Sequence, residues 1–462
     1  PSFRGTVYND EGITPIGANR TVAVSVNGAA AADTGETNVS GQFALYGVTF
    51  AAGDVLTFYI DGEVEKGVMV QVSDGILSSG MNIYRDRLLI RHDNGGVMTN
   101  AQLAIADNNG DTDITDIFQV TGSTLEVKNG YELYIGSAYP FEPGGDVDVD
   151  DIQINSTLTL SSNTLTVSGV FDPSIGTFIT TGLIVFDSAG AENLTSNGNS
   201  FYDVFITGGG SYTLEDQLDV NGSLTMTNST LDVKTGENNI ITVSGNMSIS
   251  GTFNARLGRV TFDGTAKQTI SVGGNNFNVM KITNTAADGL YFNQPLSTSD
   301  LIVAQPGTKL IFEHSRTFTV SHDLTLAGSS NSKIVLDSSD GTNRFSIAMG
   351  KPRYVTGVSV ANSEVLSNDI TASVFLNMGN NDDAEAAPHW IFGSNSYSDI
   401  TSTADLGTSP GGGCIVILDI NNDGFQDVFL NDNTAATTTV RLRQNDGDRT
   451  FTDRDAQISG SN

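Results

Sequence analysis

The sharpest chemistry in the chain lies near its end, where Asp419-Ile420-Asn421-Asn422-Asp423-Gly424-Phe425-Gln426-Asp427 sets oxygen-bearing side chains at alternating places and a glycine at the sixth. A hard divalent cation wants about six to eight oxygens at short range, and glycine lets the chain turn around it. The spacing predicts a Ca2+ loop, with a plain Asp/Asn turn as the alternative. Residues 107–116, Asp107-Asn108-Asn109-Gly110-Asp111-Thr112-Asp113-Ile114-Thr115-Asp116, also alternate oxygens. Here Thr112 stands where the glycine belongs and Phe118 where the closing carboxylate belongs, so a solvated acidic loop is the preferred reading and a metal the alternative. Asp146, Asp148, Asp150 and Asp151 form a weaker cluster of the same kind.

Catalytic signals are thinner. Gly407-Thr408-Ser409-Pro410-Gly411 has the Gly-x-Ser-x-Gly string, but Pro410 lacks the N–H that an oxyanion hole needs and Gly411-Gly412-Gly413 starts no helix. Cys414 sits in an apolar run and reads as a small hydrophobe. His92, His314, His322 and His389 are scattered without metal-ligand spacing. Asp187 and Asp263 occupy equivalent places in an internal repeat and would align on one face near Arg256 or Arg259, as in a polysaccharide-cutting groove; the alternative, preferred here, is a polar residue ending each strand. No enzyme is expected.

The elements that must position these residues are short. The calcium loop is entered by Cys414-Ile415-Val416-Ile417-Leu418 and left by Val428-Phe429-Leu430, a strand-loop-strand setting. Between positions 156 and 283 the chain repeats itself: Gly198-Asn199-Ser200-Phe201 returns as Gly274-Asn275-Asn276-Phe277, an offset in numbering of 274 − 198 = 76. Within the repeat, runs such as Leu224-Thr225-Met226 and Ile240-Ile241-Thr242-Val243 alternate one side chain in and one out, and Asn221-Gly222 and Ser244-Gly245 turn the chain between them. Such a unit predicts about three coils of a β-solenoid, each on the order of twenty-five residues. No long amphipathic helix is indicated.

Composition bounds the partners. The chain has 462 residues, 53 Asp+Glu against 22 Lys+Arg, and a formal net charge of −31, which opposes nucleic acid and anionic membrane surfaces and favours divalent cations. One cysteine excludes an internal disulfide framework. No apolar run approaches a membrane span, and a start at Pro1 without a signal-peptide pattern reads as a mature or trimmed product. Seven Asn-x-Ser/Thr sequences, such as Asn193-Leu194-Thr195, are possible glycan acceptors.

Three resemblances add expectations. Gly5-Thr6-Val7, Ser40-Gly41-Gln42-Phe43 and Gly53-Asp54 make residues 1–86 resemble the carboxypeptidase-regulatory or collagen-adhesin B-type β-sandwich. Some members carry an internal Lys-to-Asn isopeptide bond, which is not carried over because the module's only lysine, Lys66, comes late. Residues 87–393, with phrasing such as Val243-Ser244-Gly245-Asn246 and a closing Trp390-Ile391-Phe392, resemble the β-strand repeats of prokaryotic surface proteins. Residues 394–462 resemble an FG-GAP/VCBS repeat of an integrin-like propeller. Its turn before the final strand is matched by Asn445-Asp446-Gly447-Asp448. That resemblance implies Asp419, Asn421, Asp423, Asp427 and the Phe425 carbonyl as ligands; one blade closes no propeller, so the native chain would continue. The expectation is an all-β chain with a β-sandwich, a parallel β-helix-like solenoid and a partial propeller-type calcium repeat. It would be an extracellular, self-associating surface protein stabilised by calcium, with a glycan-binding or polysaccharide-degrading β-helix as the alternative.

Overall fold

The computed structural model describes residues 2–393, 415–418, 426–434, 437–445 and 451–454. The chain is almost entirely β, 50% strand against 3% helix, and holds a β-solenoid of about 16 turns, as the periodicity predicts. It divides into two compact units, Pro1–Asn278 and Val279–Asn462.

The first unit opens with two sheets around one core. Gln42–Tyr46, Ser2–Tyr8 and Ile83–Tyr84 form the smaller sheet. Asp33–Glu36, Thr21–Val26, Ala52–Ile60 and Val68–Asp74 pair antiparallel in that order to form the larger. Strand alternation turns Val22, Val24, Leu56, Phe58 and Met69 toward Phe3, Val7, Phe43, Leu45 and Ile83, and all of these are buried. The larger sheet does not stop at residue 86. Val68–Asp74 pairs parallel with Arg87–His92, Val68 opposite Leu88, and Arg87–His92 pairs parallel with Thr124–Ile135. Antiparallel pairing therefore passes into parallel coils within one continuous sheet. Its other face, with Ser25, Thr57, Tyr59 and Val70 buried, lies under the helix Asn100–Asp107.

That helix and the shorter Thr112–Thr115 depart from the all-strand pattern. Thr99 caps the first helix through a reciprocal capping box with Gln102, and Asp111 caps the second. The Thr-x-x-Gln signature stands in the sequence as Thr99-Asn100-Ala101-Gln102.

From residue 124 the first unit coils. One ladder stacks Leu125, Val147, Leu165, Ile184, Val204, Leu224, Met247 and Ile270 in parallel register, every one buried. A second runs through Tyr212, Leu231 and Phe253, and a third through Phe201, Val220, Val243 and Phe262. Along the first ladder the coil lengths, as differences in numbering, are 184 − 165 = 19, 204 − 184 = 20, 224 − 204 = 20, 247 − 224 = 23 and 270 − 247 = 23. The coil is shorter than expected, and the offset of the sequence echo is no whole number of coils. Phe186 lies on the first ladder, whereas Phe262, its counterpart one echo later, lies on the third. What the echo preserves is corner chemistry. Asn199 Oδ1 accepts the Phe178 N–H at 2.8 Å and Asn275 Oδ1 the Phe253 N–H at 2.8 Å, each reaching across to a neighbouring coil.

The second unit stacks Leu290, Leu310, Leu336 and Val360 in one ladder. Another sets Phe318 against Ile347 and Ile347 against Val365. Its core is aromatic: Phe312 stacks on Phe292 at 5.1 Å and on Phe345 at 4.4 Å between centroids. Trp390–Phe392 pairs parallel with Ile370–Ser373, so the apolar triplet joins the stack. The indole is fully buried and donates to Ser363 Oγ at 2.9 Å. Further on, Ile415–Leu418, Asp427–Thr434, Thr437–Asn445 and Phe451–Asp453 make a four-stranded antiparallel sheet in chain order.

Because Phe312 joins two ring stacks, Phe312→Ala should cost about 3–5 kcal/mol by leaving a cavity between them. Trp390, the chain's single tryptophan, reports on the same unit, so the denaturation midpoint of its fluorescence should fall; an unchanged midpoint would show that the stack adds nothing to stability.

Candidate functional site

The acidic stretch at 107–116 does not fold as a calcium loop. Asp107 accepts the Val120 N–H at 3.0 Å, Asn109 donates its amide to the Ala29 carbonyl, and Asp116 faces Lys66 at 3.7 Å, so these oxygens point to separate partners. Only Asp111 and Asp113 converge, and they do so with Asp61, their carboxylate oxygens lying within 4.8 Å of one another. Local structure explains the meeting. Asp111 caps its helix by accepting the Asp113 N–H at 2.9 Å, which swings Asp113 over the turn after Ala52–Ile60; there Asp113 Oδ2 accepts the Gly62 N–H at 2.6 Å. Asp113 also pairs with the Lys66 ammonium. Burial, then the charges of Asp111 and Asp113, push the Asp61 carboxyl upward. Burial works against the Lys66 charge, but the hydrogen bond and charge of Asp113, aided by Asp116, outweigh it and hold Lys66 above its ordinary pKa. Three carboxylates can hold a cation, and Lys66 already supplies one.

The other acidic cluster is divided among backbone partners. Asp146 accepts the Thr164 N–H at 2.8 Å, Asp150 the Gly130 N–H at 2.7 Å and Asp151 the Val170 N–H at 2.6 Å. These carboxylates clasp neighbouring coils. Asp187 and Asp263 do the same kind of work, each accepting a serine hydroxyl, from Ser168 at 2.9 Å and Ser244 at 2.8 Å. They follow strands of different ladders and therefore do not line one groove.

A denser site lies where the loop after Ser2–Tyr8 meets the first coils. Arg87 bridges Glu11 at 3.0 Å and Glu132 at 2.9 Å. Sheet register fixes the second pair, since Glu132 stands directly opposite Arg87 on one side and Asp151 on the other. Burial pushes the Glu132 carboxyl up to about 7; Arg87 opposes the rise, while Glu11 and Asp151 add to it. Beside this group Tyr84 packs edge-on against Tyr134 at 5.2 Å and against Tyr8 at 5.9 Å. A sequence scan misses the group because its members come from positions 8 to 151 and carry no motif.

Of the calcium-loop residues, Asp419, Asn421, Asp423 and Phe425 lie outside the described residues, as do Cys414 and residues 407–411. Asp427 is described. It is buried at the start of its strand, opposite Leu418, and accepts the Asn445 N–H at 2.7 Å. The histidines stay apart: His92 accepts the Gly96 N–H at 3.1 Å, His322 meets Asp300 at 2.8 Å, His314 lies 3.4 Å from Glu313 and His389 3.7 Å from Asp369. Comparison with protein-family models, with curated proteins and with solved structures finds no match to this chain.

Glu132 gives the site a pH signature. Its folded pKa, about 7, lies above the ordinary 4.5, so its contribution to stability is full below the unfolded value and is lost as pH rises through about 7. Between pH 4.5 and 7 the unfolding free energy should therefore decline more in wild type than in Glu132→Gln, read by urea denaturation at each pH. Parallel pH curves would refute the assignment.

Proposed function

We propose that this is an extracellular structural protein that forms or decorates a cell-surface layer, filament or adhesive stalk by self-association, with calcium stabilising its C-terminal repeat. The coil stack is the observation that carries this reading. Each unit is built on long parallel ladders whose inward positions are filled by Leu, Ile, Val and Phe, an arrangement that resists bending and exposes repeating polar faces. The titratable groups at the coil corners hold backbone N–H groups, which is scaffold work. The chain's acidity supports the calcium part of the reading, since a net charge of −31 disfavours close association until cations screen it.

The antiparallel pair Ile415–Leu418 and Asp427–Thr434, with Leu418 opposite Asp427, is the setting in which the sequence 419–427 reads as a calcium loop. Asp419, Asn421, Asp423 and Asp427, with the Phe425 carbonyl, are the proposed ligands. Their role would be to gather clustered aspartate charge around one ion and order the hairpin. The blade-like character of this sheet belongs to the same proposal.

Electron microscopy of the purified chain in calcium should show sheets or fibres that dissolve when a chelator is added. Dispersed particles under both conditions would overturn the assembly reading. Replacing Asp419 and Asp423 together by alanine, and keeping Asp427 for its bond to the Asn445 N–H, should lower the melting temperature in calcium and leave it unchanged in chelator. Identical melting of wild type and variant under both conditions would remove calcium from the account.

A further inference from the structure

Next to the Arg87 bridge the first unit holds a cleft of about 210 Å3, walled by Tyr84, Tyr134 and Tyr139. Two parts of the fold supply the walls. Tyr84 comes from the strand Ile83–Tyr84 of the smaller sheet and Asn82 from the residue just before it, whereas Tyr134 and Tyr139 come from the first coil and the turn after it. Arg91 fastens them together. Its guanidinium carbon lies 5.3 Å from the Tyr139 ring centre, Nε donates to Asp93 Oδ1 at 2.7 Å, and Nη1 donates to the Gly80 carbonyl at 3.2 Å. Asn82 Oδ1 accepts the Thr6 N–H at 3.2 Å, while its Nδ2 has no protein partner among the described residues. The cleft shares Gly80 and Asn82 with a more open cavity of about 630 Å3, whose polar lining includes Thr6, Asn38, Gln42 and Tyr46.

We propose that this composite groove binds a neutral oligosaccharide, with the tyrosine cleft taking one sugar ring and the polar cavity its neighbours. A pyranose has two C–H faces that pack on aromatic rings and a rim of hydroxyls that needs amide, hydroxyl and guanidinium partners. The cleft offers the aromatic rings together with Asn82 and Arg91, and the open cavity adds Thr6, Asn38 and Gln42. Tyrosine rings lose little freedom on contact, which suits a rigid, weakly hydrophobic ligand. Burial holds the Tyr84, Tyr134 and Tyr139 phenols above their ordinary pKa, so they remain donors. Charge selects the neutral class. Arg91 in the cleft is paired with Asp93, Arg4 and Glu36 share the lining of the open cavity, and Glu11 and Glu132 act on Tyr134, so the groove offers no excess of positive charge in a chain that carries −31. A polyanionic glycan would meet repulsion there. This site is independent of whether the chain assembles.

Titration calorimetry of the full chain against soluble oligomers of glucose, mannose and galactose tests the proposal, with polygalacturonate and a proline-rich peptide as competing classes. Saturable binding of at least one neutral oligomer is expected, weakened at least roughly tenfold in Tyr134→Ala and in Ser137→Arg. Ser137 is an exposed residue of the cleft lining, so the arginine blocks the cleft without removing a packed side chain. Far-ultraviolet circular-dichroism melting curves of each variant report whether the unit that holds the cleft stays folded. Absence of binding by every neutral oligomer, undiminished binding in Ser137→Arg, or binding confined to the polyanion or the peptide would each overturn the assignment.

Discussion

The coil stacks depend on one constraint: every turn must return the same side-chain parity to the same rung of a parallel backbone ladder. Successive residues of a strand face opposite ways, so a slip of one residue would put Thr225 where Leu224 belongs and turn the column inside out. Coil length is free to vary only where the backbone leaves the ladder. The extra length of the coil that follows Leu224 is absorbed near a corner where Lys234, Gly236 and Asn238 all take positive φ, leaving Met247 in register with Leu224. Unusual backbone conformations fall at corners and at breaks in strand pairing, such as Gly130 and Ser161, where the register shifts.

The same constraint gives the aspartates and asparagines their work. A chain turning a corner leaves N–H groups that the ladders cannot satisfy, and short carboxylate or amide side chains from a neighbouring coil reach them. Asp203 accepts the Ser223 N–H at 2.7 Å and Asp216 the Ser196 N–H at 2.8 Å, the same device seen at Asp146 and Asn275. Much of the chain's negative charge is therefore structural. Each such carboxylate faces a backbone donor of a neighbouring coil, so an acidic composition coexists with close stacking.

Fold class is legible because period-two alternation and Gly/Asn/Ser punctuation are local signals. Coil length is not, because the strongest echo in the sequence records similar corners on different ladders. Asn199 and Asn275 make the same bonds, and reading their separation as a set of whole coils makes each coil too long. The acidic stretch at 107–116, whose preferred reading is an acidic loop without a metal, also hides a helix: alternating oxygens suit a metal loop and a helix cap equally, and Asp111 is a cap. The capping box at Thr99 stands in the sequence but is outweighed there by the dominant strand pattern. Tyr84, Tyr134, Arg91 and Asn82 are brought together by sheet register and by a turn, which no linear spacing encodes.

The passage of the head's sheet into the coils has a further consequence. A bare parallel stack ends in a row of unpaired backbone groups, a template on which another chain can continue the sheet. Here Val68–Asp74 occupies that row against Arg87–His92, and the sheet then runs outward through antiparallel strands to Asp33–Glu36, a four-residue strand with an acid at each end. Elongation by strand addition is blocked there by brevity and charge. A second chain cannot readily add a strand at that edge, so a contact made there would be made through side chains and could be reversible rather than locked in as amyloid-like pairing.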